Sequence, residues 1–209
     1  MEQWMTNNAA VYAAFALGAY LCGAIPFGFL IGKMRGVDVR TVGSKNIGAT
    51  NVYRTVGHAW GFLAFFCDFL KGLVPTLAAK LLFPDVPHLA LMTGALTVVG
   101  HMWTCFMKFK GGKGIATGFG MLVALIPGLV LAAFAIFVVT VWRSHYISLG
   151  SIFAATFLLV SVWFPVLGTP GVRGDVAQCI LVAAIAAFAI YKHRTNIARL
   201  RTGTENKIY

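Results

Sequence analysis

Acidic residues are scarce in this chain of 209 residues, which has only 6 Asp and Glu against 17 Lys and Arg. Charged residues of all kinds make up 11% of the sequence, whereas soluble domains carry about 25%. Hydrophobic residues account for 59%. So few polar side chains cannot cover a soluble globule of this length, which predicts that lipid is the solvent for much of the surface.

Two common site signatures are also missing. The cysteines are scattered, and no CxxC spacing typical of metal or redox sites joins them. They are therefore predicted to be small packing residues: Cys22, Cys67, Cys105 and Cys179. No G-x-S-x-G pattern occurs, which excludes the nucleophile elbow of serine hydrolases.

Long apolar runs predict seven membrane-spanning helices, because one span needs roughly 20 apolar residues. The run from Ile115 to Trp142 is divided in two, since Pro127 and Gly128 stand in its middle. The predicted spans cover residues 8–32, 60–82, 88–107, 115–126, 128–142, 147–167 and 176–192. The fold class is therefore an all-α integral membrane protein with seven transmembrane helices, in one domain over residues 1–209. Five spans, with one segment re-entrant, is the alternative.

The basic residues indicate the orientation, because Lys and Arg concentrate in cytoplasmic loops. With the N-terminus outside, every Lys and Arg lies in an inside segment except Lys71, Lys80 and Arg173. The opposite orientation would invert this bias. We therefore expect the C-terminus to be cytoplasmic. Glu2 and the absence of early basic residues predict that the first apolar segment is retained rather than cleaved.

The first cytoplasmic segment, residues 43–54, is rich in glycine, hydroxyl and amide side chains and ends in an arginine. Such a loop can turn sharply and direct backbone N–H groups inward. Its candidate site residues are Ser44, Asn46, Thr50, Asn51 and Arg54. An ordinary polar loop is the alternative interpretation.

The second segment, residues 108–117, places three glycines and a lysine directly before a predicted helix. A helix N-terminus presents unpaired N–H groups and the positive end of the helix dipole, which favours an anion. The candidates here are Gly111, Gly112, Lys113, Gly114 and Thr117. Positive-inside lysines on a flexible hairpin would be the alternative.

The third segment, residues 193–205, continues the last span into the cytoplasm. His193 and Asn196 are three residues apart and so share one helix face. A basic tail with snorkelling side chains is the alternative. Within the second span, Asp68 and Lys71 form an ionisable pair whose role is either functional or mutual neutralisation.

The cytoplasmic segments contain only two carboxylates, Asp38 and Glu205. That is too few for a paired-carboxylate acid/base site or a metal cage, so neither a metal nor a cofactor is predicted. Many donors and cations beside few bases favour the handling of an anion that is already activated.

At these three segments the chain resembles the bacterial acyl-phosphate:glycerol-3-phosphate acyltransferase family. The family motifs GSxNxGATNVxR, FKGGKGxAT and HRxNIxRLxxGxE all occur here in order. The chain departs from the family at two positions: Lys45 stands where glycine is usual, and Thr104 where proline is usual.

The resemblance implies transfer of a fatty acyl group from acyl phosphate to the 1-hydroxyl of glycerol 3-phosphate, which gives lysophosphatidic acid and phosphate. This is the first acylation of phospholipid synthesis. The implied surroundings are the bacterial inner membrane, with the active site at the cytoplasmic face. The implied partners are the two substrates and the bilayer, without nucleic acid and without an obligatory protein partner.

The resemblance also implies roles for the candidates. Ser44 and Arg54 are expected to bind glycerol 3-phosphate or to bridge the two phosphates. Lys113 with its neighbouring glycines is expected to bind the phosphate of the donor. His193 and Asn196 would orient the glycerol hydroxyl or shield the acyl carbonyl. Either His193 or a substrate phosphate takes the hydroxyl proton, and the scarcity of carboxylates favours the phosphate.

Two other functions compete with catalysis. A transporter or channel for an organic phosphate would explain both the cations and the membrane spans. Polar residues clustered at one face argue against it, because transporter sites lie near the bilayer midplane. A non-catalytic subunit that recruits anionic lipids would explain the charge, but not the motifs rich in glycine and amide groups.

Overall fold

The computed structural model describes residues 2–164 and 175–208, with side chains from residue 8 onward. Within these residues the structure is helical and contains no strand. The helices are α1 (Glu2–Ala24), α2 (Phe27–Met34), α3 (Ala49–Thr55), α4 (His58–Leu82), α5 (Leu89–Met102), α6 (Ile115–Leu125), α7 (Pro127–Ser144), α8 (Ile147–Ser161), α9 (Val176–Lys192) and α10 (Arg194–Arg201), with a 3₁₀ turn at Cys105–Met107.

The helices group into two compact units. The first unit comprises Met1–Leu125 and contains α1 to α6, and the second comprises Ile126–Tyr209 and contains α7 to α10. The first and second polar segments belong to the first unit, and the third belongs to the second unit. The single domain expected from the sequence stays a prediction.

Several helices have the length and composition of membrane spans, which agrees with an all-α integral membrane protein. Four candidate spans meet both criteria in the described residues: Asn8–Met34, His58–Leu82, Leu89–Met107 and Pro127–Ser144. The bent pair α9 and α10 would be a fifth. Helix α6 has 11 residues and α8 has 15, so they are only about 17 and 22 Å long against a hydrocarbon core of about 30 Å. Seven spans are therefore not confirmed, and the orientation stays a prediction.

Two prolines set helix boundaries. The division expected at Pro127 is confirmed, because α6 ends at Leu125 and α7 begins with Pro127, where its missing N–H is harmless. The expected first span over residues 8–32 agrees with the candidate span Asn8–Met34, within which Pro26 separates α1 from α2. Helix α8 ends at Ser161, and the expected end of that span at residue 167 lies outside the described residues.

Helices α4 and α6 of the first unit pack almost backbone to backbone. A Cβ atom on Gly72 would lie 2.0 Å from the Thr117 carbonyl oxygen, and one on Gly120 would lie 2.0 Å from the Phe69 carbonyl oxygen. Small residues permit such close approach between membrane helices. This packing fixes α6, and therefore the second polar segment at its N-terminus, against α4.

Candidate active site

The first polar segment is held in shape by one buried amide. Asn51 lies on α3 and is 1% exposed. Its Oδ1 accepts the Ser44 N–H at 2.9 Å, and its Nδ2 donates to the carbonyls of Val39 at 2.8 Å and Val42 at 3.2 Å. The amide thus ties the start of the segment to α3 and fixes the path of the chain through Ser44.

The other candidates of this segment surround that amide. Ser44 is exposed, and Thr50 is half-buried in the first turn of α3. The Asn46 Oδ1 atom accepts the Gly48 N–H at 2.8 Å, which fixes the turn just before α3. Arg54 lies half-buried in the last turn of α3. The segment therefore presents a hydroxyl and a guanidinium on a loop and a helix that are rigidly joined.

Lys45, the first departure from the family pattern, adopts a left-handed backbone conformation with φ of 57°. A residue with a Cβ atom pays about 1–2 kcal/mol there, whereas glycine does not. The geometry explains why glycine suits this position.

A small apolar core connects the first segment with the start of the second. Ile47 and Val52 of the first segment are buried in a cluster with Ile31, Val39 and Ala64. Met107, which directly precedes the second segment, packs against this cluster. The core therefore places both segments at the same end of the first unit.

Two glycines of the second segment are bonded to the end of α5. The Gly111 N–H donates to the Met102 carbonyl and the Gly112 N–H to the His101 carbonyl, both at 3.1 Å. A Cβ on Gly111 would lie 2.0 Å from the His101 carbonyl oxygen, so only glycine allows this approach. The two N–H groups expected to face a phosphate are thus engaged within the protein.

The chain turns from these glycines into α6. Lys113 is half-buried and lies one residue before Gly114, whose φ of 80° is left-handed. Helix α6 begins at Ile115, and its first turn offers N–H groups that have no preceding helical carbonyl. Thr117 is fully buried, and its Oγ1 has no hydrogen-bond partner among the described residues.

Thr104, the second departure from the family pattern, keeps the backbone that proline would have. Its φ is −67°, close to the value to which the proline ring is restricted. The hydroxyl donates to the Ala24 carbonyl at 2.6 Å, and the side chain is buried. Ala24 ends α1, so the threonine satisfies a carbonyl that the helix leaves without an intrahelical donor.

In the second unit, His193 marks the junction of α9 and α10 and is 3% exposed. Its Nδ1 lies 2.8 Å from the Ala189 carbonyl oxygen. Because a carbonyl only accepts, Nδ1 must carry the proton, and Nε2 of the neutral ring is then the acceptor. The ring is thus fixed in the tautomer that can receive a hydroxyl proton or orient a hydroxyl group.

Asn196 is positioned by the buried carboxylate of Glu205. The Glu205 Oε1 atom accepts from Asn196 Nδ2 at 2.7 Å and from Ser148 Oγ at 2.8 Å, while Oε2 accepts from Arg199 Nε at 2.6 Å. Burial raises the pKa of Glu205, but these hydrogen bonds outweigh it and hold the pKa below its ordinary value. The carboxylate is therefore ionised, and both of its oxygens accept hydrogen bonds from these side chains.

Two further described carboxylates outside the spans, Asp38 and Asp175, are also engaged. Hydrogen bonds from the Arg40 side chain and backbone lower the pKa of Asp38 to about 2. Asp175 accepts the Gln178 N–H at 3.0 Å as the N-cap of α9. In the described residues, no group of three or more His, Cys, Asp or Glu side chains could hold a metal ion. The absence of a metal remains a prediction.

Three side chains that lie beside the candidate residues or support them were not predicted from the sequence. Glu205 was read only as part of a motif, and Ser148 carried no signal because its partner lies 57 residues away. His101 was not singled out, although a polar residue at the end of a span before a glycine-rich loop was a usable signal. Asp68 and Lys71, the ionisable pair expected within the second span, do form an ion pair of 2.7 Å, as mutual neutralisation requires.

Comparison with known proteins identifies the family of this chain. A family model described as glycerol-3-phosphate acyltransferase matches residues 13–203. Glycerol-3-phosphate acyltransferases of Geotalea daltonii and Trichlorobacter lovleyi are 47% and 48% identical, over 91% of this chain and 94% of each relative. The one from Aquifex aeolicus is 43% identical over 90% of this chain and 95% of its own length.

Two solved structures of PlsY, an integral membrane glycerol 3-phosphate acyltransferase, share the fold. Its glycerol 3-phosphate form has a TM-score of 0.85 at 41% identity, and its lysophosphatidic acid form has a TM-score of 0.81 at 38% identity. Each comparison covers 94% of this chain and 95% of the solved one. This chain is therefore an acyltransferase of the integral membrane glycerol-3-phosphate acyltransferase family.

Proposed function

We propose that this protein transfers a fatty acyl group from acyl phosphate to the 1-hydroxyl of sn-glycerol 3-phosphate. The products are lysophosphatidic acid and inorganic phosphate, in the first acylation of phospholipid biosynthesis at the cytoplasmic face of the bacterial inner membrane. Glycerol 3-phosphate and lysophosphatidic acid are the ligands named for the two solved PlsY forms, which supports the acceptor and the product. Family membership leaves no reason to retain the transporter or the non-catalytic subunit.

The observation that carries the proposal is the setting of Lys113. The preceding Gly112 is bonded to α5, and the following residues open α6, so the lysine is held between two fixed elements. Lys113 lies two residues before the N-terminus of α6, where the first N–H groups and the positive end of the helix dipole also lie. This combination favours a phosphate, and we assign it to the phosphate of the acyl donor. The phosphate would meet the first turn of α6 rather than the N–H groups of Gly111 and Gly112.

Acyl phosphate is a mixed anhydride, so it needs little activation by the protein. The acceptor hydroxyl oxygen forms a bond to the acyl carbon, the bond from that carbon to the phosphate oxygen breaks, and phosphate leaves with the electron pair. Positioning of two reactants can contribute about 7–11 kcal/mol. Each fixed donor at a developing charge adds about 3–4 kcal/mol.

Charge neutralisation is the second task, because both substrates carry anionic phosphates. Ser44 and Arg54 are assigned to glycerol 3-phosphate, which separates the acceptor from the donor phosphate bound by Lys113. Asn46, Thr50 and Asn51 shape the segment that presents them. A cationic, donor-rich surface lowers the repulsion between the two substrates.

The hydroxyl proton is assigned to a substrate phosphate oxygen. Asp38 and Glu205 are held by arginine side chains, and Asp175 accepts a hydrogen bond from a backbone N–H group, so these three carboxylates are already engaged. His193 and Asn196 are assigned to the orientation of the hydroxyl, since Nε2 of the neutral imidazole is an acceptor. His193 as the base is the competing assignment.

Phosphate release by the purified protein in detergent, with palmitoyl phosphate and glycerol 3-phosphate, tests this function. Wild type should release phosphate only when the acceptor is present. Lys113→Ala should lose most of that activity, whereas Arg201→Ala, which removes an exposed cation at the end of α10, should keep it. Equal loss in the two variants would instead indicate that the basic residues act as a non-specific charged surface.

A further inference from the structure

Three buried ionisable side chains form a chain of contacts inside the first unit. Lys71 Nζ lies 2.7 Å from Asp68 Oδ1, and His101 Nδ1 lies 3.6 Å from the same oxygen. Lys71 also donates to the Ile25 carbonyl at 2.7 Å. The three side chains are each less than a tenth exposed. The carboxylate therefore lies between an ammonium group and an imidazole ring.

The imidazole ring is in direct contact with the glycine-rich segment. A Cβ on Gly112 would lie 2.1 Å from His101 Nε2, so the α-carbon of this glycine rests against the edge of the ring. The His101 carbonyl also accepts the Gly112 N–H at 3.1 Å. The His101 ring and the His101 carbonyl thus both hold Gly112, which directly precedes Lys113.

Neutralisation alone does not account for this arrangement. A buried ion pair contributes little net stability, and apolar residues of similar volume often replace one without loss. Ionisable groups within membrane spans are costly and tend to be functional. The 3.6 Å separation is longer than a hydrogen bond, but a carboxylate at this distance attracts an imidazole nitrogen that carries a proton. The attraction favours the ring orientation that places Nδ1 near Asp68 and Nε2 against Gly112.

We propose that Asp68 and His101 are positioning residues for the second polar segment: Asp68, held by Lys71, orients the imidazole of His101, and the ring sets the backbone of Gly112 so that Lys113 and the start of α6 meet the donor phosphate. This inference rests on the proposed function, because it assigns the donor phosphate to that segment. It adds two residues that do not themselves touch substrate. A displacement of about 1 Å in such a support can lower the rate by about two orders of magnitude.

His101→Asn and Asp68→Asn are the first variants to measure. His101→Asn keeps a donor near Asp68 but lacks the ring edge that contacts Gly112. Both variants should raise the KM for palmitoyl phosphate at least tenfold and leave the KM for glycerol 3-phosphate within about twofold. Thr97→Val is the matched control, because it removes a buried hydrogen bond to the Gly94 carbonyl one turn earlier on α5. It should lower the melting temperature without a change in either KM.

The double variant Asp68→Asn/Lys71→Met separates positioning from simple charge balance. It removes both charges, so a purely structural pair predicts that the melting temperature and the KM for palmitoyl phosphate both return to wild-type values. The positioning account predicts recovery of the melting temperature alone, with the KM still raised at least tenfold. If the double variant does not fold, the KM of His101→Asn decides.

The two proposals fail in different ways. Wild-type protein that lacks acceptor-dependent phosphate release would overturn the proposed function. An active wild type with unchanged KM for palmitoyl phosphate in His101→Asn and Asp68→Asn, or an equal rise in the KM of both substrates, would overturn the positioning role alone.

Discussion

Asn196 Nδ2 and Glu205 Oε1 are joined by a hydrogen bond of 2.7 Å between two buried side chains. Because Glu205 follows α10 while Asn196 lies within it, this bond folds the end of the chain back onto the helix. Ser148 on α8 donates to the same oxygen. The carboxylate therefore holds the Asn196 amide in place.

Glu205→Gln should lower the free energy of unfolding by about 2 kcal/mol. The substitution removes the charge that Arg199 pairs with, and hydrogen bonds to charged groups contribute about 1.5–3 kcal/mol each. The Arg199 side chain is 35% exposed, so solvent screens part of this loss. Thermal unfolding in detergent would measure it, with Arg201→Ala as the control. An unchanged melting temperature would contradict the role of Glu205 as a support.

The same carboxylate predicts a pH dependence. The pKa of folded Glu205 lies below its ordinary value, so its contribution is complete above the unfolded pKa of about 4.3 and is lost as pH falls through the folded pKa. The stability difference between wild type and Glu205→Gln should therefore be constant from pH 7 to about pH 5 and shrink at lower pH. Melting curves over this range check it, and a difference that grows on acidification would refute it.

Lys45→Gly should stabilise the protein by up to about 1.5 kcal/mol. The lysine has a left-handed backbone, which costs about 1–2 kcal/mol, while the greater freedom of glycine in the unfolded chain returns about 0.4–1 kcal/mol. Lys45→Ala is the control, because it removes the charge but keeps the Cβ atom. The melting temperature should rise for the glycine variant only, and an equal rise in both would assign the effect to charge.

Thr104→Val should destabilise the protein by about 1–3 kcal/mol, because the buried Ala24 carbonyl loses its donor. Thr104→Ser retains a hydroxyl and should stay within about 1 kcal/mol of wild type. Chemical denaturation of the two variants makes the comparison. Equal stability would mean that the 2.6 Å contact between the Thr104 hydroxyl and the Ala24 carbonyl contributes nothing.

His193→Ala should reduce kcat while keeping the shape of the pH profile. If a substrate phosphate takes the proton, the rate falls below about pH 6, where the phosphate dianion is protonated, in both wild type and variant. A histidine base would instead raise the rate about 10²–10⁴-fold. The fall in rate at low pH would then come from protonation of the imidazole, and it would disappear in the variant. Initial rates from pH 5 to 8 distinguish the two. If the variant no longer shows the fall in rate at low pH, His193 is the base.

Much of the helix pattern could be predicted from local sequence, but not which helices are long enough to span the membrane. Pro127 divides a long apolar run and was recognised, whereas Pro26 lies in a run whose apolar character continues on both sides. The composition of α6 looked like a span, but the glycine-rich start and Pro127 leave it only 11 residues. The apolar composition of a segment indicates that it prefers lipid, but the length of its helix depends on where glycine and proline interrupt it.

The candidate site shows the same limit at the level of atoms. Spacing and residue type located all three polar segments, because glycine, hydroxyl, amide and basic residues cluster there. The direction of single groups could not be predicted. The Gly111 N–H faces the Met102 carbonyl and the Asn51 amide faces Val39, and both partners are brought near only by tertiary packing.

The most direct test of the central claim is a mass balance on one reaction. Purified protein in detergent would be given palmitoyl phosphate and glycerol 3-phosphate labelled with ³²P, and lysophosphatidic acid and inorganic phosphate would be measured together. The account predicts equal amounts of both products, neither without acceptor, and no lysophosphatidic acid when palmitoyl-CoA replaces palmitoyl phosphate. Phosphate release without labelled lysophosphatidic acid, or acylation from palmitoyl-CoA alone, would contradict the account.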